Sequence, residues 1–246
     1  MIKNLKIALF SVGLITAGGV IAAPPVLSTD VVAAKLDSPW DMSFLKDGTM
    51  FFTEKCKGLS VRTASGAINK LHGMTGTTGY ASASADLFCD GQAGMMGVEV
   101  DPDFAKNRYL FVYSSSNLNN KQVNRVMRFK VGNDFKSVSD RTDIVSDIGY
   151  KPKASKHPFG GPGAHNGGRI RFSPADGFLY VTTGDNHLGI GPQSPTIIAG
   201  KVLRIDRDGK AAADNKPPAG FDSRIYTYGH RNPQGIAFRP GDNRPF

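Results

Sequence analysis

An all-β propeller is the architecture this sequence predicts, and three observations predict it. The chain has 246 residues with 29 Gly, 15 Pro, 15 Phe and 7 Tyr. That glycine share lies well above the usual one of about 7% and favours many short strands joined by tight turns over a helical bundle. Second, four segments repeat one plan, in which an alternating apolar stretch meets a Pro or Asp-Gly turn and a second apolar stretch follows. Third, no low-complexity linker divides residues 23–246, so they read as one domain. With 40% hydrophobic and 21% charged residues, disorder and a collagen-like chain are both excluded.

The first element is an export signal over residues 1–22. Lys3 and Lys6 precede an apolar run from Ile7 to Ala23, and Val20-Ile21-Ala22 offers the small residues a signal peptidase needs. A retained membrane anchor is the alternative, but a run holding Ser11, Thr16 and three glycines is short and soft for a span of about 20 residues. Cleavage leaves a periplasmic or secreted chain with no stable membrane span. It also removes two lysines, lowering the net charge from +9 to +7.

The four repeats read SPWDMSFLKDGTMFFTE from Ser38, MGVEVDPDFAKNRYLFVYSS from Met96, GRIRFSPADGFLYVTTGD from Gly168 and QGIAFRPGDNRPF from Gln234. Phe44, Val100, Phe172 and Phe238 fall at equivalent places, 56, 72 and 66 residues apart, which leaves room for four short strands in each repeat. Further strand candidates are Leu59 to Leu71, Val123 to Val131 and Lys201 to Asp206, the last closed by the turn Arg207-Asp208-Gly209. A four-stranded sheet cannot bury both faces alone, so such units pack face to face around an axis and the ring protects their edges. A sandwich with coincidental turns is the competing arrangement. At about 60 residues per repeat, the chain supplies fewer than four blades, and Pro245-Phe246 stands where the fourth repeat needs its second strand. The expectation is an incomplete ring, with C-terminal blades absent.

Cys56 and Cys89 are the only cysteines, and an oxidising compartment allows them to pair as a disulfide. Two buried thiols are the alternative. No further cysteine and no spaced histidine set joins them to make a metal site. Lys and Arg number 30 against 21 Asp and Glu, which invites a nucleic-acid partner. The placement argues against one, because the basic residues occur singly or in short alternating sets such as Arg169-Ile170-Arg171 and Lys201 to Arg204, with no dense run interleaved with aromatics. They read instead as a solvated basic surface.

Chemistry concentrates in loops, which converge on the axis at one end of such a ring. His165 sits in GAHNGGRIRF just before a strand, and Asp185 in VTTGD at the end of that strand's hairpin partner. A carboxylate on one imidazole nitrogen fixes the tautomer and raises the basicity of the other, as a general base requires. An aspartate after a strand equally serves to satisfy turn amides. In GHRNPQG, from Gly229 to Gly235, Arg231 and Asn232 are suited to gripping a carboxylate or quinone oxygen. A polar turn bonded to its neighbours is the other reading. Gln92, in DGQAGMMG, serves either a ligand or a loop, and His230 reads as structural. His72, His157 and His187 match no metal spacing and read as surface or packing residues. No G-x-S-x-G elbow, phosphate loop or strand-linked G-x-G-x-x-G is present, which excludes nicotinamide-dependent oxidation.

Taken in order, DGQAGMMGVEVDPDF, HNGGRIRFSPADGFLYVTTGD, GKVLRIDRDGK and YGHRNPQGIAF resemble the soluble quinoprotein sugar dehydrogenases, the glucose and sorbosone dehydrogenase family, from about Leu36 to Phe246. The resemblance implies a six-bladed propeller, pyrroloquinoline quinone (PQQ) as cofactor and calcium bridging cofactor to protein. It also implies oxidation of an aldose to its lactone in the periplasm, with electrons passing to a periplasmic acceptor. By the same resemblance His165 looks like the general base and Asp185 the carboxylate that orients it. Gln92 matches a sugar-contacting glutamine, and Arg231 and Asn232 match residues that bind the quinone. Ala164 stands where some members carry an acidic residue. The Gly-Pro carbonyls that ligate calcium in the family would fall beyond Phe246, so no metal ligand is expected within this chain and a truncated, inactive form is one expectation. A non-redox sugar-binding or adhesion propeller and a calcium-dependent lactonase are the alternatives.

Overall fold

In the computed structural model, residues 26–153 and 160–246 are described; the expected export signal at 1–22 and His157 lie outside them. Thirteen strands form three sheets in chain order. The first holds β1 (Pro39–Phe44), β2 (Met50–Glu54), β3 (Gly58–Arg62) and β4 (Ile68–Met74), all antiparallel, with β5 (Ser82–Ser84) added parallel to β4. The second holds β6 (Met95–Val100), β7 (Tyr109–Ser116), β8 (Val123–Val131) and β9 (Val138–Ile148). The third holds β10 (Gly167–Phe172), β11 (Leu179–Thr183), β12 (Lys201–Ile205) and β13 (Ile225–Tyr228). Among the described residues no helix is long and apolar enough to cross a membrane. The one short α-helix, α1 (Phe104–Asn107), puts Phe104 into the core.

Each repeat read from the sequence is the first hairpin of a sheet. Lys46-Asp47-Gly48 turns the first one: the Asp47 carboxylate accepts from the Thr49 N–H at 2.9 Å, and Gly48 takes a φ of +86° that L residues resist. The fourth repeat begins the same way, since Phe238 bridges Pro245 and the Ala237 and Phe246 amides exchange bonds of 2.9 and 3.0 Å. Three blades and the start of a fourth hairpin are thus present. The sequence plan passes over β9, whose alternation is broken by charged residues, and β13, which is only four residues long; both bond along one side only, at the outer edge of a sheet.

Strand alternation sends side chains into two separate cores. Leu110, Val112, Met127 and Phe129 face the first sheet and pack with Phe51, Leu59, Val61 and Leu71. Phe111, Tyr113 and Val126, one residue out of step, face the third sheet and pack with Ile170, Leu179, Val181 and Leu203. The middle blade is therefore apolar on both faces, as a blade between two others must be.

The first strands of the three blades lie side by side, with β6 between β1 and β10. A buried ionic network joins them. The Asp41 carboxylate of β1, 2% exposed, accepts from the guanidinium of Arg169 and from Arg171 at 2.7 and 2.9 Å, both on β10, and from the Val98 N–H of β6 at 3.0 Å. Glu99 of β6 accepts from the Ser43 hydroxyl at 2.9 Å and lies 3.6 Å from Arg171. Lys201 is fully buried, its ammonium donating to the carbonyls of Gly191, Pro192 and Ala199, and Arg204 is 6% exposed and paired with Asp176 and Asp214. The expected solvated basic surface is therefore wrong for these two sets: their charges are spent on internal carboxylates and carbonyls.

The Cys56–Cys89 disulfide forms, with 5.1 Å between Cα atoms. It fastens the segment leading to Gln92 onto the β2–β3 turn, where the Met95 N–H also reaches the Lys55 carbonyl at 2.9 Å. Replacing both cysteines by serine should cost about 3 to 4 kcal/mol, from the entropy of a 33-residue loop released in the unfolded chain. The urea midpoint of the double variant measures it.

Burial drives two interior groups in opposite directions. Glu99 is pushed up to about 7, chiefly by desolvation and against the pull of Arg171; His72, bonded to Ser82 and Ser84 at 2.8 and 2.9 Å, is pushed down to about 4, chiefly by desolvation and then by the charge of Arg141. The Glu99 contribution favours the fold below pH 4.5 and is lost as pH rises to about 7, while the His72 contribution is present above pH 6.5 and is lost as pH falls to about 4. Each is on the order of 3 kcal/mol, and between those limits they oppose. Glu99→Gln should make melting temperature climb from pH 4.5 to 6.5, and His72→Gln should make it drop over the same range.

Candidate active site

The β10–β11 hairpin closes at its open end on the Gly167↔Thr183 pair, which brings the residues just outside that pair together. His165 precedes it and Asp185 follows it. His165 Nδ1 lies 2.7 Å from Asp185 Oδ1, with the two side chains 10% and 15% exposed. The pairing expected from the motif spacing is present. Gly184 makes the approach possible, because a Cβ there would fall on the His165 carbonyl.

The base loop takes a conformation that side-chain-bearing residues avoid. His165 has φ +55°, and Gly167 and Gly168 continue with +66° and +99°. Bonds from several directions hold it. Gln92 Oε1 accepts from the His165 N–H at 3.1 Å, and Asn232 Oδ1 accepts from the Gly167 N–H at 2.9 Å. Asn186, 2% exposed, donates from Nδ2 to the His165 carbonyl at 2.9 Å. Tyr113 donates to the Asn166 carbonyl at 2.9 Å, and Asn124 donates to Asn166 Oδ1 at 3.0 Å. The Arg231 carbonyl accepts from the Asp185 N–H at 2.8 Å, and the residue is exposed.

All five residues singled out for chemistry, His165, Asp185, Gln92, Arg231 and Asn232, therefore meet at one end of the sheets. Gln92 and Asn232 each use an oxygen to hold the base loop. His230 donates to or accepts from Thr227 at 2.7 Å, consistent with a structural role. His187 is the correction: it is no peripheral packing residue, since its ring stacks on His165 with centroids 3.9 Å apart and planes 23° apart. Its position two residues after Asp185, in GDNHLG, was the available signal. Tyr113 and Asn124 carried none, because each sits mid-strand in another blade.

His165, Asp185 and His187 are the one group among the described residues with three metal-capable side chains close together. Their geometry and chemistry do not suit the calcium of the family. In-plane lone pairs of near-parallel rings run side by side instead of converging on an ion, and calcium takes oxygen ligands. The arrangement suits holding and moving a proton at His165 Nε2.

A model of the glucose/sorbosone dehydrogenase family matches residues 36–244. The chain belongs to that family. It is 29% identical over 225 residues to the aldose sugar dehydrogenase YliI of Escherichia coli K12, covering 90% of this chain and 56% of that protein. Quinoprotein glucose dehydrogenase B of Acinetobacter calcoaceticus is 28% identical over 238 residues, or 85% of this chain and 45% of the relative. Among solved structures, the PQQ-bound aldose sugar dehydrogenase of Streptomyces coelicolor superposes with a TM-score of 0.71 at 27% identity, covering 91% of this chain and 61% of that one. The apo aldose sugar dehydrogenase of E. coli gives 0.70 at 28%, covering 88% and 58%. The dehydrogenase-family chain thus spans roughly half to three fifths of these relatives.

Gly184→Ala should cost about 1 to 3 kcal/mol, since the added methyl meets backbone that cannot swing away. Gly235→Ala, where a Cβ meets nothing within 4 Å, is the matched control. Chemical denaturation of the pair is the check.

Proposed function

We propose that this chain supplies the base, a sugar contact and part of the cofactor seat of a quinone-dependent aldose dehydrogenase, which oxidises the sugar at its anomeric carbon to the lactone. The His165–Asp185 pair carries the proposal. With Asp185 accepting at Nδ1, the proton resides there and Nε2 presents its lone pair. His165 Nε2 takes the proton of the anomeric hydroxyl, and the Asp185 carboxylate offsets the charge that the ring acquires.

When bound, PQQ supplies the acceptor for the hydride leaving the anomeric carbon. The residues in hand suit such a group: Arg231 is exposed, its backbone is bonded to Asp185, and its guanidinium offers paired donors to an anionic oxygen. Asn232 has its oxygen committed to Gly167, so its amide nitrogen is the group it can present to a quinone oxygen. Gln92, itself exposed, is placed likewise, with its oxygen on His165 and its nitrogen for a sugar hydroxyl. Calcium enters only through the family resemblance, and no role for it is derived from these side chains. The setting proposed is the periplasm, with electrons passing on to a periplasmic acceptor.

The test is dye reduction by the chain reconstituted with PQQ and calcium in the presence of an aldose. His165→Ala should lower kcat by about 10²- to 10⁴-fold while calorimetry shows sugar binding retained. Sugar binding by the wild-type chain with no turnover would instead favour a non-redox binding propeller.

A further inference from the structure

We infer that His187 is a positioning residue for the imidazole of His165, acting as a rigid backing plate. Three independent contacts converge on this role. The His187 ring lies face to face with the His165 ring at 3.9 Å. Its backbone N–H donates at 2.9 Å to Asp185 Oδ1, the same oxygen that His165 Nδ1 approaches at 2.7 Å. The ring edge also lies close to Gly160, where a Cβ would lie 2.5 Å from His187 Nε2 and 2.8 Å from the Ala164 methyl.

The chain accepts strain to place this ring. Asn186 and His187 take φ of +48° and +56° in succession, a left-handed backbone that Asn and His adopt more readily than most residues but still at some cost. The turn is closed by Leu188 N–H on the Asp185 carbonyl at 2.8 Å and by buried Asn186 on the His165 carbonyl. Asn119 and Asn120 also pair left-handed φ angles, so what marks residues 186 and 187 is where their turn sends the ring. Their effect is to fold residue 187 back over residue 165.

An imidazole held by one hydrogen bond alone can swing about its χ angles and lose alignment with Asp185. A flat partner across its face blocks that swing and leaves Nε2 pointing one way. Pre-alignment of this kind shows in kcat, because misplacing a reacting group by about 1 Å can cost about 10²-fold.

The consequence for turnover rests on the dehydrogenase reading above, whereas the ring alignment does not, so the experiment reads both. The full chain is prepared as wild type, His187→Ala and His187→Phe, with ¹⁵N-labelled histidine. In wild type and His187→Phe, His165 should show one Nδ1–H tautomer with a downfield proton protected from exchange; in His187→Ala that signature should broaden or split. In the reconstituted assay kcat should drop about 10- to 100-fold in His187→Ala with KM little changed, and recover in His187→Phe, which keeps the flat face. An unchanged His165 signature in a folded His187→Ala overturns the inference, and so does failure of His187→Phe to restore it. Absence of turnover in all three proteins counts against the dehydrogenase reading while the tautomer signature still decides the role of His187. Should His187→Ala not fold, His187→Gln, which keeps polarity without a ring, takes its place with the same expected outcome.

Discussion

Asp41 is the interaction on which the blade arrangement depends. One carboxylate, almost fully removed from water, receives two guanidinium groups from the third blade and a backbone amide from the second. Burying a charge is costly unless it is paired and hydrogen-bonded, and Asp41 is both. Such an arrangement is poor evidence for added stability, since well-packed apolar residues would do as much. What it gives is registry. Leu and Val can slide past one another by a fraction of a residue with little loss, but a carboxylate bonded on both oxygens has one position. Removing both arginines would leave the buried Asp41 charge uncompensated, which typically costs about 3 to 5 kcal/mol.

Registry between the blades matters because the His165 loop is not held by its own blade alone. Gln92 reaches His165 from the segment that the disulfide and Lys55 tie to the first blade. Tyr113 and Asn124 reach Asn166 from the second, and Asn232 reaches Gly167 from the loop after β13. A hydrogen bond weakens steeply once it exceeds its normal range of about 2.7 to 3.2 Å. A shift of half an ångström between blades would therefore be felt at His165 before it was felt in either apolar core. The ionic network near the axis and the amide network at the loop end are two parts of one constraint.

Much of this was legible in the sequence, for a definite reason. The first hairpin of each blade repeats because it carries the turn and the inward alternation, and both are local properties. His165 and Asp185 were found together because the hairpin between them fixes their separation. The outer strands β9 and β13 give weak signals for different reasons: β9 carries charged residues on its solvent side and loses clean alternation, whereas β13 has four residues, too few for a pattern to show. The burial of Arg169, Arg171, Lys201 and Arg204 was read in the wrong direction. Nothing local marks an arginine whose carboxylate lies 128 or 130 residues away. His187 was dismissed on metal spacing, although its role lies in the shape and stacking of a ring, which spacing does not report.

Left-handed backbone is spread over the fold and meets in one place. Among the described residues eleven non-glycine positions take positive φ, and three of them, His165, Asn186 and His187, surround one imidazole. Replacing any of the three by glycine would relax the backbone and delete the side chain that the conformation serves to aim. Such backbone costs on the order of 1 kcal/mol for most residues and less for Asn. The cost falls where Asp185, His165 and His187 must meet within a few ångströms, and it is offset by amides and carbonyls from neighbouring blades. Left-handed backbone at three residues around one imidazole, bonded from several directions, holds the ring aligned before any ligand arrives.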